Sequence, residues 1–330
     1  MTSPRFSARR RRLATGLLAA ALVGAAPLAG WAQSTQPAKL LVGFPPGGSF
    51  DAIARLLAEK LKDELHRPVV VENKPGAGGR LVVETLKMAP ADGSVVMLGP
   101  DALTSIYPLT VRKLSYDPKT DLVPISSILE FPFALGMGTE PNVKTLPEYV
   151  KWAKANPDKA NFGHPARGAS HHFLGLLLGQ AIGVPMQDVP FQGSGPMMVN
   201  LMGGQITSGI ELFGGMYEHH RAGKLRIVAI SSPHRLPQAP DIPTFAEQGY
   251  PAMVAMGFNA LYAPPRTPAS AVATWNQALR KVLDQPAVQE RLQALGYQTK
   301  PSTPEELSRR SADALQFWGP VIKASGFTMD

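Results

Sequence analysis

Residues 39–51 read Lys39-Leu-Leu-Val-Gly-Phe-Pro-Pro-Gly-Gly-Ser-Phe-Asp51, and this stretch decides the fold class. The apolar run at residues 39–44 is stopped by two prolines and two glycines, which is typical of a buried strand that ends in a tight loop. Ser49 is then expected to cap a helix. The apolar face of that helix recurs at helical spacing and consists of Ile53, Leu56, Leu57, Leu61 and Leu65.

The alternation of strand and helix continues after this stretch. Strands are predicted at residues 68–72 and 94–98, with a helix at residues 81–88 between them, and glycine-rich or proline-rich turns separate the three. Strands that alternate with helices at this spacing indicate a parallel α/β sheet that is covered on both faces.

A second segment has a similar layout, with a strand that ends at Gly163, a loop that contains Gly168, a helix at residues 171–182 and a strand at residues 187–191. The two segments are either two α/β lobes of one design or two ordinary βαβ units, and the layout alone does not decide between them. Further strands and helices are predicted at residues 206–212, 214–222, 226–231, 258–263, 269–283, 286–295 and 304–324.

Residues 1–32 have the pattern of a secretory signal peptide. Four arginines at positions 9–12 precede an uncharged apolar run at residues 13–29, and Gly30-Trp-Ala32 has the small-x-small form of a cleavage site. The sequence therefore predicts cleavage near Ala32 and Gln33 and export to the periplasm. An uncleaved membrane anchor is the alternative, although the run is short for a spanning helix. Both the general secretory route and the twin-arginine route stay open.

The net charge of +8 is concentrated in this leader. Without residues 1–32, 28 basic residues face 25 acidic residues, and no basic stripe interleaved with aromatic residues remains. Nucleic-acid binding needs clustered positive charge, so no nucleic-acid partner is expected. The chain has no cysteine, which excludes a thiolate nucleophile, a cysteine-type zinc site and a disulfide framework.

Two glycine-rich loops, at residues 44–51 and 163–171, each end a strand and open a helix. Such loops bind anions because unpaired helix N–H groups point outward and the helix dipole favours negative charge. Two lobes that face each other would present both loops to one ligand, which suits a small carboxylate. The alternative at each loop is that the glycines only turn the chain.

Other kinds of site have weak sequence support. No complete dinucleotide or P-loop fingerprint and no G-x-S-x-G elbow is present. Ser170-His-His172 suggests a hydrolase, but neighbouring helical residues point in different directions. The adjacent pairs at 171–172 and 219–220 lack the i, i+4 spacing of helical metal ligands. We therefore expect no catalytic residue, no metal and no cofactor.

Several longer motifs occur in a fixed order along the chain. They are Phe44-Pro-Pro-Gly-Gly-Ser-Phe-Asp51, Val71-Glu-Asn-Lys-Pro-Gly-Ala-Gly-Gly79, Ala89-Pro-Ala-Asp-Gly93, Ser170-His-His172, Val189-Pro-Phe-Gln-Gly-Ser-Gly-Pro196, Leu201-Met-Gly-Gly-Gln205, Arg221-Ala-Gly-Lys-Leu-Arg226 and Pro240-Asp-Ile-Pro-Thr244. With these motifs the chain closely resembles the Bug family, the substrate-binding components of tripartite tricarboxylate transporters, over essentially its whole mature length.

The resemblance implies a periplasmic-binding-protein fold, in which crossing strands join two α/β lobes with a ligand cleft between them. Lobe 1 is expected at residues 33–134 plus 258–330 and lobe 2 at residues 135–257. The protein would carry a small organic carboxylate to inner-membrane transporter subunits as a monomer, without a chemical step. The expected ligand-binding residues are Phe44, Pro46, Gly47, Gly48, Ser49, Asn73, Ala77, Gly78, Asp101, His164, Arg167, Gly168, Ala169, Ser170 and Glu211.

The chain departs from the family pattern at a few of these positions. His164 stands where relatives carry a small hydroxyl residue, Arg167 lies in the middle of the second loop, and Pro100-Asp101 replaces a small polar residue. Arg167 is expected either to hold a distal ligand carboxylate or to be a solvent-facing charge at the rim. Asp101 is expected to receive an amine or hydroxyl group, or to be a rim charge as well. Two alternative functions also stay open, a periplasmic sensor that feeds a signalling partner and a hydrolase that uses Ser170 and His171.

Overall fold

The stretch at residues 39–51 forms a strand, a loop and a helix with slightly shifted ends. In a computed structural model that describes residues 36–329, strand β1 is Ala38–Val42 and helix α1 is Ser49–Glu64. The N-cap residue of α1 is Gly48, with extended backbone, so the predicted cap at Ser49 is wrong by one residue. The predicted signal peptide, residues 1–32, lies outside the described residues.

The first set of parallel strands has β1 at its centre. Strand β1 pairs in parallel with β2, Val69–Asn73, and with β3, Val95–Pro100. Helix α2, Arg80–Lys87, connects β2 to β3. The carboxyl ends of these strands therefore lie at one edge, and the loop that follows β1 opens there.

Strand β4, Val123–Met137, is the longest strand and runs through both halves of the sheet. Its first part pairs antiparallel with β9, Met256–Ala263, and the pairing ends at Pro132. From Phe133 onward β4 pairs antiparallel with β7, Ser208–Leu212, and with β8, Arg226–Ile230. Strand β9 also pairs antiparallel with β3, so the two crossing strands join the two sets of parallel strands.

The second set of parallel strands has β5, Asn161–His164, at its centre, between β6, Gln187–Pro190, and β7. The strand order is β2-β1-β3-β9-β4-β7-β5-β6, with β8 and the short β10, Gln298–Thr299, pairing with β4. The fold is a two-lobed mixed α/β fold, as predicted. The strands that alternate with helices in the first segment pair in parallel, as predicted, whereas the crossing strands run antiparallel to their neighbours.

The remaining helices surround these strands. They are α3 (Ala102–Ser105), α4 (Tyr107–Thr110), α5 (Leu146–Ala155), α6 (Ser170–Ile182), α7 (Ser194–Met202), α8 (Phe213–Arg221), α9 (Ala269–Leu283), α10 (Pro286–Ala294) and α11 (Pro304–Ser325), with short 3-10 turns at Ala77–Gly79, Pro157–Lys159, Ala246–Gln248 and Pro251–Met253. Between residues 36 and 329, no helix has both the length and the apolar character needed to cross a membrane.

The C-terminal segment packs against helix α6 of the second set. The ring of Phe173 in α6 lies 5.6 Å from that of Phe327 and 6.4 Å from that of Trp318 in α11, measured between centroids.

The change of partners in β4 between Pro132 and Phe133 supports a lobe boundary near that point. The lobe limits at residues 134, 135, 257 and 258 stay a prediction.

Candidate functional site

The loop between β1 and α1 is held in shape by one carboxylate. Oδ2 of Asp51 accepts hydrogen bonds from the Gly47 N–H at 2.9 Å and from Nε of Arg55 at 2.8 Å, and Oδ1 accepts from Nδ2 of Asn73 at 2.9 Å. The hydrogen bond from Arg55, followed by that from Gly47, lowers the pKa of Asp51 to about 2. Gly47 has a φ of +81°, a conformation that glycine adopts without strain.

Asn73, a predicted ligand-binding residue at the end of β2, supports the first loop. Nδ2 of Asn73 donates to Asp51 and also to the carbonyl oxygen of Phe44, so its donors are used within the protein. The ring of Phe44 stacks on that of Phe50 at 4.2 Å. Ala77 and Gly78 are exposed on a turn with positive φ values, where the hydroxyl group of Tyr107 donates to the Gly78 carbonyl. The first loop is therefore a rigid element whose backbone N–H groups have a fixed direction.

A cleft of about 470 Å³ opens beside this loop. Three predicted residues line it from the first loop, Gly47, Gly48 and Ser49, and one from the end of β7, Glu211. Ser49 and Ser194 are the first residues of α1 and α7, so two helix N-termini open on one cleft. Helix N-termini attract anions through their free N–H groups and their dipoles. The full lining is Gly47, Gly48, Ser49, Ala52, Ser194, Glu211, Leu212, Gly214, Gly215, Ala294, Leu295, Gly296 and Tyr297.

Glu211 places a buried carboxylate in the wall of this cleft, with only 3% of the residue exposed. Oε1 accepts a hydrogen bond from the Leu212 N–H at 2.8 Å and lies 3.6 Å from Nε2 of His171. Burial acts to raise the pKa of Glu211, but the interactions with His171, Ser194 and Leu212 outweigh it, and the pKa lies below its ordinary value. Glu211 is therefore ionised at neutral pH.

His171 belongs to the same site, although the sequence singled it out only for the alternative hydrolase. Its ring makes an edge contact with Phe133 at 5.1 Å between centroids. Neither of its ring nitrogens has a hydrogen-bond partner among residues 36–329, so no bond to Ser170 activates a nucleophile there. The sequence also gave no indication that Gly296 and Tyr297 line the cleft, because they follow helices α9 and α10 and are distant in sequence from both glycine-rich loops. Ser194 lies within one of the quoted motifs but was not singled out.

Asp101 is not among the residues that line this cleft. It follows β3 directly, only 5% of it is exposed, and its main-chain oxygen accepts hydrogen bonds from Thr104 and Ser105. Burial raises the pKa of Asp101 to about 7, against the opposing effects of the Ala102 N–H and the charges of Arg310 and His171.

Asp188 on β6 anchors the second loop, residues 163–171, and also contacts His172 of helix α6. Its Oδ2 lies 3.7 Å from Nε2 of His164, 3.5 Å from Nε2 of His172 and 3.5 Å from Nη2 of Arg167. His164 is fully buried, whereas the Arg167 side chain is 60% exposed. Burial lowers the pKa of His164 and brings that of His172 to about 4, so both rings are neutral at neutral pH.

His164, His172 and Asp188 offer three ligand atoms within 4.8 Å of one another. However, the Gly168 N–H donates to Nδ1 of His172 at 3.3 Å. A neutral ring that accepts at Nδ1 carries its proton on Nε2, which here faces Asp188, whereas a metal at Nε2 requires the proton on Nδ1. The cluster is therefore better suited to anchoring the loop than to binding a metal ion.

The other predicted residues of the second loop lie close to the C-terminal segment. A Cβ atom on Gly168, which has a φ of +75°, would lie 2.8 Å from the ring of Phe327. Ala169 is the N-cap residue of α6, and Ser170 is its buried first residue. Pro46 is exposed at the tip of the first loop. The structure thus brings Gly47, Gly48, Ser49 and Glu211 together in one cleft and places His164, Arg167 and Gly168 around the anchor at Asp188.

Comparison with known proteins gives a consistent result. Residues 53–327 match the family described as "Tripartite tricarboxylate transporter family receptor". Protein BugT from Bordetella pertussis is 34% identical over 303 residues, which cover 92% of this chain and 93% of BugT.

Solved structures of similar proteins share the fold. The periplasmic binding protein BugD has a TM-score of 0.76 at 29% identity, with 89% of this chain and 99% of BugD covered. MatC from Rhodopseudomonas palustris with bound malate has a TM-score of 0.75 at 29% identity, covering 87% and 98%. An R. palustris protein with adipate has a TM-score of 0.80 at 26% identity, covering 89% and 99%.

Proposed function

Because the chain belongs to the tripartite tricarboxylate transporter receptor family, whose members are solute-binding proteins and not enzymes, we propose that it captures a small organic carboxylate in the periplasm and delivers it to a transporter in the inner membrane. The observation that carries this proposal is the cleft of about 470 Å³ on which the N-termini of α1 and α7 both open. Its volume suits a small organic molecule.

The N–H groups of the first loop would hold one ligand carboxylate. Hydrogen bonds of Asp51 and Asn73 hold that loop in one conformation, so little conformational entropy is lost when the ligand binds. The second loop would approach the ligand from the other lobe and close the cleft around it, with lobe 1 at residues 33–134 plus 258–330 and lobe 2 at residues 135–257. The structures with adipate and with malate support a carboxylate as the ligand class.

Export is part of the proposal. The leader pattern of residues 1–32 would direct the chain to the periplasm, and the mature protein would begin near Gln33. The protein would act there as a monomer, and the membrane subunits of a transporter would be its partners.

A thermal-shift screen against a carboxylate library tests the binding function. A ligand at 100 times its dissociation constant stabilises the folded protein by about 2.7 kcal/mol, which is a clear shift in melting temperature. We expect the compounds that raise the melting temperature to carry a carboxylate and their matched amides to fail. Neutral sugars that bind as well as any acid would contradict the proposal.

A further inference from the structure

One oxygen of Glu211 is unsatisfied in the wall of the cleft. Oε1 accepts the Leu212 N–H, whereas Oε2 makes no hydrogen bond of ordinary geometry among residues 36–329, and the nearby Ser194 side chain only contributes to the lowered pKa of Glu211. A buried polar atom without a partner is unusual in folded proteins, and an unpaired ionised oxygen is especially unfavourable. A feature of this kind at a binding cleft indicates that a ligand supplies the missing donor.

The charges around Glu211 indicate what kind of donor is missing. Of the residues that the structure describes, only His171 has a basic side-chain nitrogen within 4.0 Å of this carboxylate, and no lysine or arginine lies that close. The N-terminus of α1 lines the same cleft and favours negative charge. The cleft therefore presents both helix N–H groups and a buried carboxylate to one ligand.

We propose that Oε2 of Glu211 receives an ammonium group of the ligand, so that the protein binds an amino carboxylate rather than a plain acid. This proposal rests on the proposed function, because the ligand carboxylate would occupy the first loop while its ammonium group meets Glu211. An ammonium group suits this position better than a hydroxyl group, since it also neutralises the buried negative charge of Glu211, which a hydroxyl group cannot do. A plain dicarboxylate would instead bring a second negative charge towards Glu211.

Matched ligand sets test the proposal on the whole mature protein. Each set has one carbon skeleton of three to six atoms and contains the unsubstituted acid, the hydroxy acid and the amino acid, for example succinate, L-malate and L-aspartate. Calorimetry gives the affinity of each ligand. In the set that contains the tightest-binding ligand, we expect the amino acid to bind roughly 10- to 100-fold more tightly than the unsubstituted acid.

Two results would count against the idea and separate it from the proposed function. If unsubstituted or hydroxy acids bind as tightly as the amino acids, the ammonium site is wrong while carboxylate binding stands. If no acid of any set binds, both proposals are wrong.

The Glu211→Gln variant provides the test on the protein side. Glutamine keeps the size of the side chain but removes the charge, so amino acid affinity should fall roughly 10-fold or more while that of the unsubstituted acid is unchanged or improved. Glu218→Gln, an exposed position on α8, is the matched control and should bind as the unmodified protein does. The melting temperature of ligand-free Glu211→Gln is measured alongside, so that the two ligands are compared on folded protein. Equal loss for both ligands would contradict the proposal.

Discussion

At the scale of single residues, Asp101 is a carboxyl group that folding removes from water. Its pKa of about 7 in the folded protein lies above the ordinary aspartate value of about 3.9, and burial is the main cause. Arg310 on α11 and His171 on α6 oppose the shift, and the buried ring of Tyr262 on β9 lies near the same carboxyl group. The folded protein therefore retains a proton that the unfolded chain has lost between pH 4 and pH 7.

The sign of the resulting pH dependence follows from linkage. The contribution of Asp101 to stability is fully present below about pH 4 and is lost as the pH rises through about 7, at up to about 1.4 kcal/mol per pH unit. Asp101→Asn mimics the protonated group, so we expect its stability relative to the unmodified protein to increase from pH 5 to pH 8. Denaturant midpoints of the ligand-free proteins at four pH values measure this difference. Parallel pH curves for the two proteins would contradict it.

At the scale of elements, the first loop depends on Asp51 at the start of α1. Three donors, from Gly47, Arg55 and Asn73, converge on its two oxygens. Asp51→Asn turns one acceptor oxygen into a donor amide, which leaves at least one of these groups unsatisfied, at a cost of about 1–3 kcal/mol. We expect a lower denaturant midpoint and weaker carboxylate binding, because the loop loses its fixed shape.

Asp63→Asn is the control for this prediction, since Asp63 is exposed on the same helix. The pKa of Asp51 is lowered, so its contribution is present above about pH 4 and is lost only as the pH falls towards 2. The stability difference between the Asn variant and the unmodified protein should therefore be constant from pH 5 to pH 8. Unchanged stability of the Asp51 variant in this range would show that the loop does not depend on the carboxylate.

Elements with strong local signals were predictable, and elements defined by distant partners were not. The glycines and prolines of residues 45–48 mark the end of β1, and the leucine spacing marks α1. Strand β4 was missed because polar and proline residues interrupt its apolar pattern, and its length depends on pairing first with β9 and then with β7 and β8. Likewise, the loop at residues 44–51 was predictable as an anion site, whereas the role of Asp51 in holding it became visible only in the structure.

At the scale of the whole molecule, two backbone segments meet at the edge of the cleft. Gly214, the second residue of α8, lies against Gly296, which precedes β10. A Cβ atom on Gly214 would lie 2.5 Å from the carbonyl oxygen of Leu295 and 2.8 Å from Cα of Gly296. Both neighbours are main-chain atoms, so no side chain can move aside. The sequence predicted a cleft between two lobes, but a contact between glycines so far apart in the chain has no local signal.

This contact leads to a prediction about closure of the cleft. Gly214 lies in the predicted lobe 2 and Gly296 in lobe 1, so Gly214→Ala should hold the lobes apart. An extra methyl group in a packed contact typically costs about 1–3 kcal/mol, and we expect carboxylate affinity to fall roughly 10-fold. Stability should change little, because Gly214 does not have a left-handed conformation and alanine is the better helix former.

Gly319→Ala is the control. Gly319 lies within helix α11 and is not among the residues that line the cleft, and a Cβ atom there would have no neighbour within 4 Å. Calorimetry gives the affinities, and small-angle X-ray scattering of the ligand-saturated proteins gives the radius of gyration. We expect a larger radius and weaker binding for the Gly214 variant alone. If both variants bind and close like the unmodified protein, the contact between Gly214 and Gly296 does not limit closure.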